Sequence, residues 1–158
     1  MTACWLITVG LLAYLKRAEQ ATQQAKEQVL RDYGITPAQQ AALTIVSEHE
    51  GISSAELARQ CQVTRQTMNS TVGRLEARGL IQRTPHPMHR TLIELTLTGY
   101  GRDLFERADA RVSALDTDLA AELSPAELST LKDLLTRVTD HAPRAATHKF
   151  EQPPAKTP

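Results

Sequence analysis

The chain has 158 residues, enough for one domain with its own core. Apolar residues make up 41% of it and aromatics only 4%, and an Ala/Leu/Gln/Glu-rich chain of that kind leans towards helix. Formal net charge is zero, which argues against a protein that binds polyanions through its overall charge. The distribution says more than the sum. From Arg59 to Thr91 there are six arginines and one acid, Glu76, so this segment holds a surplus of five positive charges that the rest of the chain cancels. Cys4 and Cys61 are too few for a disulfide framework and point to a reducing, cytoplasmic setting.

The N-terminal run "CWLITVGLLAYLKR" is mostly apolar. It has no basic segment before it and no small-x-small site after it, which is not the pattern of a signal peptide. It is shorter than the ~20 apolar residues of a spanning helix. The expectation is a helix buried on most sides, hence a subunit interface and no membrane. That first helix should run from about Ala3 to Tyr33. Thr36-Pro37-x-Gln39 is a capping box with proline at the first helical position, and opens a second helix ending near His49. Ser53-x-x-Glu56 repeats the device before a short helix, Ser54 to Gln60. Gly34, Gly51 and Gly79 stand where helices should stop.

A further helix spans about Arg65 to Arg78, and two short extended runs follow, "LIQRT" and "TLIELTL". In the second, Leu92, Glu94 and Thr96 alternate with Ile93, Leu95 and Leu97, the period of a half-buried strand. Pro85 and Pro87 stiffen the loop between the runs. A long helix from about Gly99 to Ala121 carries Leu104, Ala108, Val112, Leu115 and Leu119 on one stripe. Ser124-Pro125-x-Glu127 opens a last helix, and from Pro143 the proline-rich, apolar-poor tail should be disordered.

On a wheel of about 100° per residue, Met68, Val72 and Leu75 of the Arg65–Arg78 helix share one side. Opposite lie Gln66, Ser70, Gly73 and Ala77, flanked by Asn69 and Arg74, with Arg65 and Thr67 at the N-terminal end. No acid lies at the centre of that face. Amides and guanidinium groups on a face of small residues suit the DNA major groove, where Asn or Gln bonds adenine and Arg bonds guanine. The short capped helix just before it, separated only by "CQVT", and the basic hairpin after it make a winged helix-turn-helix.

The stretch "SSAELARQCQVTRQTMNSTVGRLEARGLIQRTPHPMHRTLIELTLTGYG" resembles the core of the MarR family, the multiple-antibiotic-resistance regulators. The Ala-Glu-Leu-Ala helix, the "RLEARGLIQR" run into the first wing strand and Leu97-Thr98-x-x-Gly101 closing the second carry the likeness, with "GIT" and two C-terminal helices on the flanks. The resemblance implies a homodimer whose first and last two helices interlock, with two winged lobes on a palindromic operator in double-stranded DNA. It divides the chain into a dimerisation region (1–33 and 99–142), a DNA-binding lobe (34–98) and a tail (143–158). The wing departs from the family. Where the family carries Asp-x-Arg as a brace, spacing places His89 and Thr91, with Arg90 between them. A one-residue shift turns a strand side chain to the other face, so the brace is expected to be missing.

The expected fold is therefore mostly α with a small β-hairpin wing. Arg65, Gln66, Thr67, Asn69 and Ser70 are candidates for base contacts. Arg59, Thr64, Arg74, Arg83, His89 and Arg90 are candidates for backbone or wing contacts. Many members of the family bind small aromatic anions, and Tyr14, Lys16, Arg17 and His49 are candidates to line such an effector site. His86-x-x-His89 has no nearby Cys, Asp or Glu to complete a metal site, so wing histidines beside phosphates are the simpler reading. Cys4 or Cys61 as a redox switch, and an architectural protein without sequence preference, stay open as alternatives to a ligand-responsive repressor. No nucleophile–base–orienter set or phosphate loop marks an enzyme, and no cofactor is expected.

Overall fold

The computed structural model describes residues 10–85, 88 and 93–147. The first helix, α1 (Leu11–Leu30), tightens into a 3-10 turn at Arg31–Tyr33, and Gly34 ends it at φ 64°. Residues 1–9, where the sequence starts this helix, lie outside the described residues. The capping box works as the sequence requires. The Thr36 hydroxyl accepts from the Gln39 N–H, the Gln39 side chain accepts from the Thr36 N–H, and α2 runs Pro37–Glu48.

A two-residue strand, β1 (Ile52–Ser53), leads into α3 (Ser54–Gln60), which is capped by the Ser53 hydroxyl at 3.2 Å from the Glu56 nitrogen. Gln62 takes φ 55° in the turn, and the Thr64 hydroxyl then caps α4 (Arg65–Ala77) by accepting from the Thr67 N–H at 3.1 Å. Then come β2 (Ile81–Pro85), β3 (Ile93–Leu97), α5 (Gly99–Ala121) and α6 (Pro125–Thr147).

The sheet is three-stranded and antiparallel, in the order β1-β3-β2. The hairpin expected from sequence is present, with Ile81 opposite Leu97 and Arg83 opposite Leu95. The third strand is an addition. Ile52 pairs with Leu95, because the turn after α2 lays this short segment against the inner edge of the wing. The disordered tail set at Pro143 needs correction, since α6 continues through Pro143 to Thr147. Proline removes one hydrogen bond from the helix, but Ala142, Ala145 and Ala146 flank it, and alanine has the highest helix propensity. Residues 148–158 lie outside the described residues.

The described residues up to Asp116 form one compact unit and those from Thr117 a second. In the first, Leu30 of α1, Leu43 and Val46 of α2, Leu57 of α3, Met68, Val72 and Leu75 of α4, Leu95 of β3 and Leu104 and Ala108 of α5 make a single core. One polar side chain is buried with them. Gln40 donates to Thr44 Oγ1 and to Asp109 Oδ1, both at 3.0 Å, and so ties α2 to α5 without leaving its amide nitrogen unpaired. In the second unit, the Ser124 hydroxyl donates to Glu127 Oε2 at 2.6 Å at the head of α6. That bond holds the Glu127 carboxyl below the usual range. Leu131, Leu134 and Leu135 follow along α6, all exposed.

Leu97-Thr98-x-x-Gly101 is the joint between wing and α5. The Thr98 hydroxyl accepts from the Gly101 N–H at 2.9 Å and donates to the Gly79 carbonyl at 2.5 Å. The Thr98 N–H donates to the Leu80 carbonyl at 3.1 Å. A Cβ on residue 101 would stand 1.8 Å from that same Leu80 oxygen, so only glycine fits. Gly101→Ala should lower the unfolding free energy by about 1–3 kcal/mol, because the backbone of Leu80 must move to admit a methyl group. Chemical denaturation followed by circular dichroism checks this, and an unchanged midpoint would show that the joint has slack.

Candidate nucleic-acid interface

The geometry of α4 follows from its buried side. Met68, Val72 and Leu75 are 2%, 0% and 0% exposed, so the opposite side of the helix has to face outward. Arg65, Gln66, Thr67, Asn69, Ser70 and Arg74 are all exposed, as expected. Gly73 adds no bulk between them, and apart from its chain neighbours and the backbone of its own helix no atom lies within 4 Å of where its Cβ would be. The first turn contains no acid.

Several of these side chains are already held. Thr64 and Thr67 share a hydroxyl–hydroxyl bond of 2.8 Å, which commits both to the start of the helix. The Ser54 hydroxyl at the start of α3 donates to Asn69 Oδ1 at 2.6 Å. Arg83 pairs with Glu76 at 3.0 Å, and Arg59 pairs with Glu56. Among the described residues of α4, Arg65 and Arg74 enter no ion pair, so their charge is left for an outside anion. His86, His89, Arg90 and Thr91 lie outside the described residues, and with them the question of the wing brace.

Arg78 has a role that its count among the arginines does not reveal. Its guanidinium donates to the Gly34 carbonyl at 2.5 Å and to the Tyr33 carbonyl at 3.1 Å. It therefore joins the end of α4 to the end of the α1 segment. A cation there also suits the negative end of that helix. The local signal is an arginine directly before a helix-ending glycine, Gly79 at φ 68°. Its partners lie more than forty residues away in the chain, where no local pattern points.

The effector candidates are spread differently. Tyr14 and Arg17 are exposed on α1, Lys16 pairs with Glu19 at 2.8 Å, and His49 is exposed at the end of α2. A groove of about 360 Å³ lies beside the helix-turn-helix, lined among others by Ala41, Ile45, Cys61, Val63 and Met68. A second cavity of about 430 Å³ is lined by Ala25, Gln28, Val29, Arg31, Asp32, Arg111 and Leu115. None of the four candidates lines either of these. Cys61 is half-buried, and burial pushes its thiol pKa up. That keeps it a thiol at neutral pH, against the thiolate that a redox switch needs. Cys4 lies outside the described residues. Among the described residues, no group of three or more His, Cys, Asp or Glu is placed to hold a metal ion, and no helix is long and apolar enough to cross a membrane.

The MarR family's sequence model matches residues 33–90, the span from the end of the α1 segment into the wing. The HTH-type transcriptional repressor Rv2887 of Mycobacterium tuberculosis is 35% identical over 109 residues, which cover 69% of this chain and 78% of that protein. Its crystal structure in complex with DNA superposes with a TM-score of 0.66, covering 82% of this chain and 97% of that one at 32% identity. Its complex with p-aminosalicylic acid gives 0.65 over 82% and 98%, at the same identity. The transcriptional repressor CouR bound to a 23-mer DNA duplex gives 0.79, with 25% identity, 88% of this chain and 99% of that one. The chain belongs to the MarR family of winged helix-turn-helix proteins, and it is a DNA-binding transcription regulator.

The state of Cys61 is open to test. In a Cys4→Ser background, iodoacetamide at pH 8 should label the native protein several times more slowly than the unfolded one. Labelling should accelerate only as the pH climbs, since a raised pKa leaves little thiolate below it. Native labelling as fast as unfolded would return Cys61 to the list of redox candidates.

Proposed function

We propose that the chain is a homodimeric, sequence-specific repressor that reads a palindromic operator through α4 and is released by a small aromatic acid. The observation that carries this reading is the outward face of α4, polar, acid-free in its first turn and held in place by a fully buried opposite side. Arg65, Gln66, Thr67, Asn69 and Ser70 would meet base edges, and Arg74 and Thr64 the phosphates beside them. Arg59 and Arg83 would have to exchange a glutamate for a phosphate, so their share is smaller. His89 and Arg90 are the wing's contribution.

Residues 1–33 and 99–142 serve as the dimerisation region and 34–98 as the DNA-binding lobe. The exposed leucines of α6 in the second unit, and those at the start of α1 in the first, where Leu12 is 81% exposed, are each a surface that a second copy would cover. The salicylate-type ligands of the similar repressor support an aromatic acid as effector. Its carboxylate needs a cation. Lys16 and Arg17 offer one, next to Tyr14 and with His49 as a further polar group, and Arg31 and Arg111 of the second cavity offer another. Release then follows from coupling: the acid binds best to the arrangement of lobes that fits DNA worst. A protein that works on the chromosome belongs in the cytoplasm.

Fluorescence anisotropy of a selected operator and of a scrambled duplex tests the reading. Gln66→Ala should weaken operator binding by about 1–3 kcal/mol and leave scrambled DNA unaffected. Millimolar salicylate should raise the operator Kd of the wild type. An equal loss on both duplexes contradicts base reading, and an operator Kd indifferent to salicylate contradicts the effector.

A further inference from the structure

The two serines of "ISSAEL" divide their work. Ser53 caps α3, with its hydroxyl accepting from the Glu56 N–H at 3.2 Å. Ser54 is free of that duty and donates to Asn69 Oδ1 on α4 at 2.6 Å. The separation identifies the atom it meets. Hydroxyl-to-oxygen bonds centre on about 2.7–2.8 Å, whereas an amide N–H to an oxygen centres on about 2.9–3.0 Å. An atom this near to the hydroxyl is the amide oxygen, and Nδ2 is turned away from α3. Among the described residues Nδ2 has no hydrogen-bond partner.

We infer that Ser54 sets the base preference of Asn69: by bonding its oxygen, it fixes the amide with Nδ2 turned outward as the leading group, which favours a keto base, guanine or thymine, over the two-ended pairing with adenine. This deepens the operator reading above and rests on it. A free asparagine side chain pairs with adenine through both ends, its N–H₂ giving to N7 while its oxygen accepts from N6. Here adenine N7 can still accept from Nδ2, but its N6 amino group would have to reach the one lone pair left on an oxygen whose direction Ser54 already fixes, so the two-ended pairing is weakened. Guanine offers acceptors at N7 and O6, and thymine offers O4, so either takes the Nδ2 protons while the bond to Ser54 stays intact. Cytosine shows only its N4 donor in the groove and meets the wrong end of the amide. Ser54 is thus a positioning residue for specificity, one helix away from the reading face. The local sequence does not announce it, because fifteen residues separate the partners.

The test is selection of sites from random duplex DNA by the full-length wild type, Asn69→Ala, Ser54→Ala and Ser54→Thr, with sequencing of each pool. Asn69→Ala identifies the half-site position that Asn69 reads, because only there does the preference flatten. In the wild type that position should favour guanine or thymine over adenine by at least about fivefold. Ser54→Ala should shift it towards adenine while leaving the other positions alone, and Ser54→Thr, which keeps the hydroxyl, should restore the wild-type preference. Because Ser53, not Ser54, caps α3, each variant should keep the wild-type thermal midpoint. Adenine at the Asn69 position in the wild type overturns the inference, as does a preference that Ser54→Ala does not change, or an Asn69→Ala pool identical to the wild type. Those results leave a motif in place. A wild-type pool with no motif removes the operator reading itself, and this inference with it.

Discussion

The molecule depends on one side of α4 being entirely committed to the core. Met68, Val72 and Leu75 leave that helix no freedom to rotate, since a turn of even one residue would bring a polar group inward and a buried chain out. Everything that faces outward does so because of them. The ends of the helix are held just as firmly. Thr64 caps the start, and Arg78 ties the finish to the carbonyls of Tyr33 and Gly34. Beyond it, Gly79 reverses the chain and Leu80 meets the head of α5 at the Thr98–Gly101 joint. A helix mounted in this way presents its side chains at set positions, as the proposed base reading requires.

Charge is arranged to serve the same end. A chain of zero net charge gains little from salt-driven, sequence-blind binding. Its basic segment is further thinned by the ion pairs Arg59–Glu56 and Arg83–Glu76. What stays available on the helix is a short set of amides, hydroxyls and two arginines, groups that distinguish partners by geometry more than by attraction. Ser54 adds a constraint of the same kind, spending one hydrogen bond to reduce what Asn69 can accept. Arg78 also bonds the carbonyls of Tyr33 and Gly34, so the end of α4 is tied directly to the end of the α1 segment.

Much of this was legible in the chain because helix caps are local. Ser53-x-x-Glu56 and the following "CQVT" mark α3 at Ser54–Gln60, and the stripe of Leu104 and Ala108 marks α5 at Gly99–Ala121, the bounds the structure has. The buried and outward sides of α4 follow from the helical period alone. What escaped was either too short or too distant. Two residues of β1 show no alternation, and their pairing with Leu95 is a tertiary event. The partners of Arg78 and Asn69 lie in other elements, which composition and spacing cannot see. Pro143 reads as a stop, yet the alanines around it carry the helix past it. Tyr14, Lys16, Arg17 and His49 suit an aromatic acid by their chemistry, which carries no information on where a cavity lies, and the two cavities have other linings.

Methylation protection of an operator at guanine N7 would show whether α4 enters the major groove, because that atom lies on the floor of the groove. Two protected patches are expected on one face of the duplex, about one helical turn apart, that a Gln66→Ala/Asn69→Ala protein no longer protects although it still binds at low salt. Protection spread evenly along the duplex, or two patches that survive the double substitution, would contradict the assignment of α4 as the reading helix.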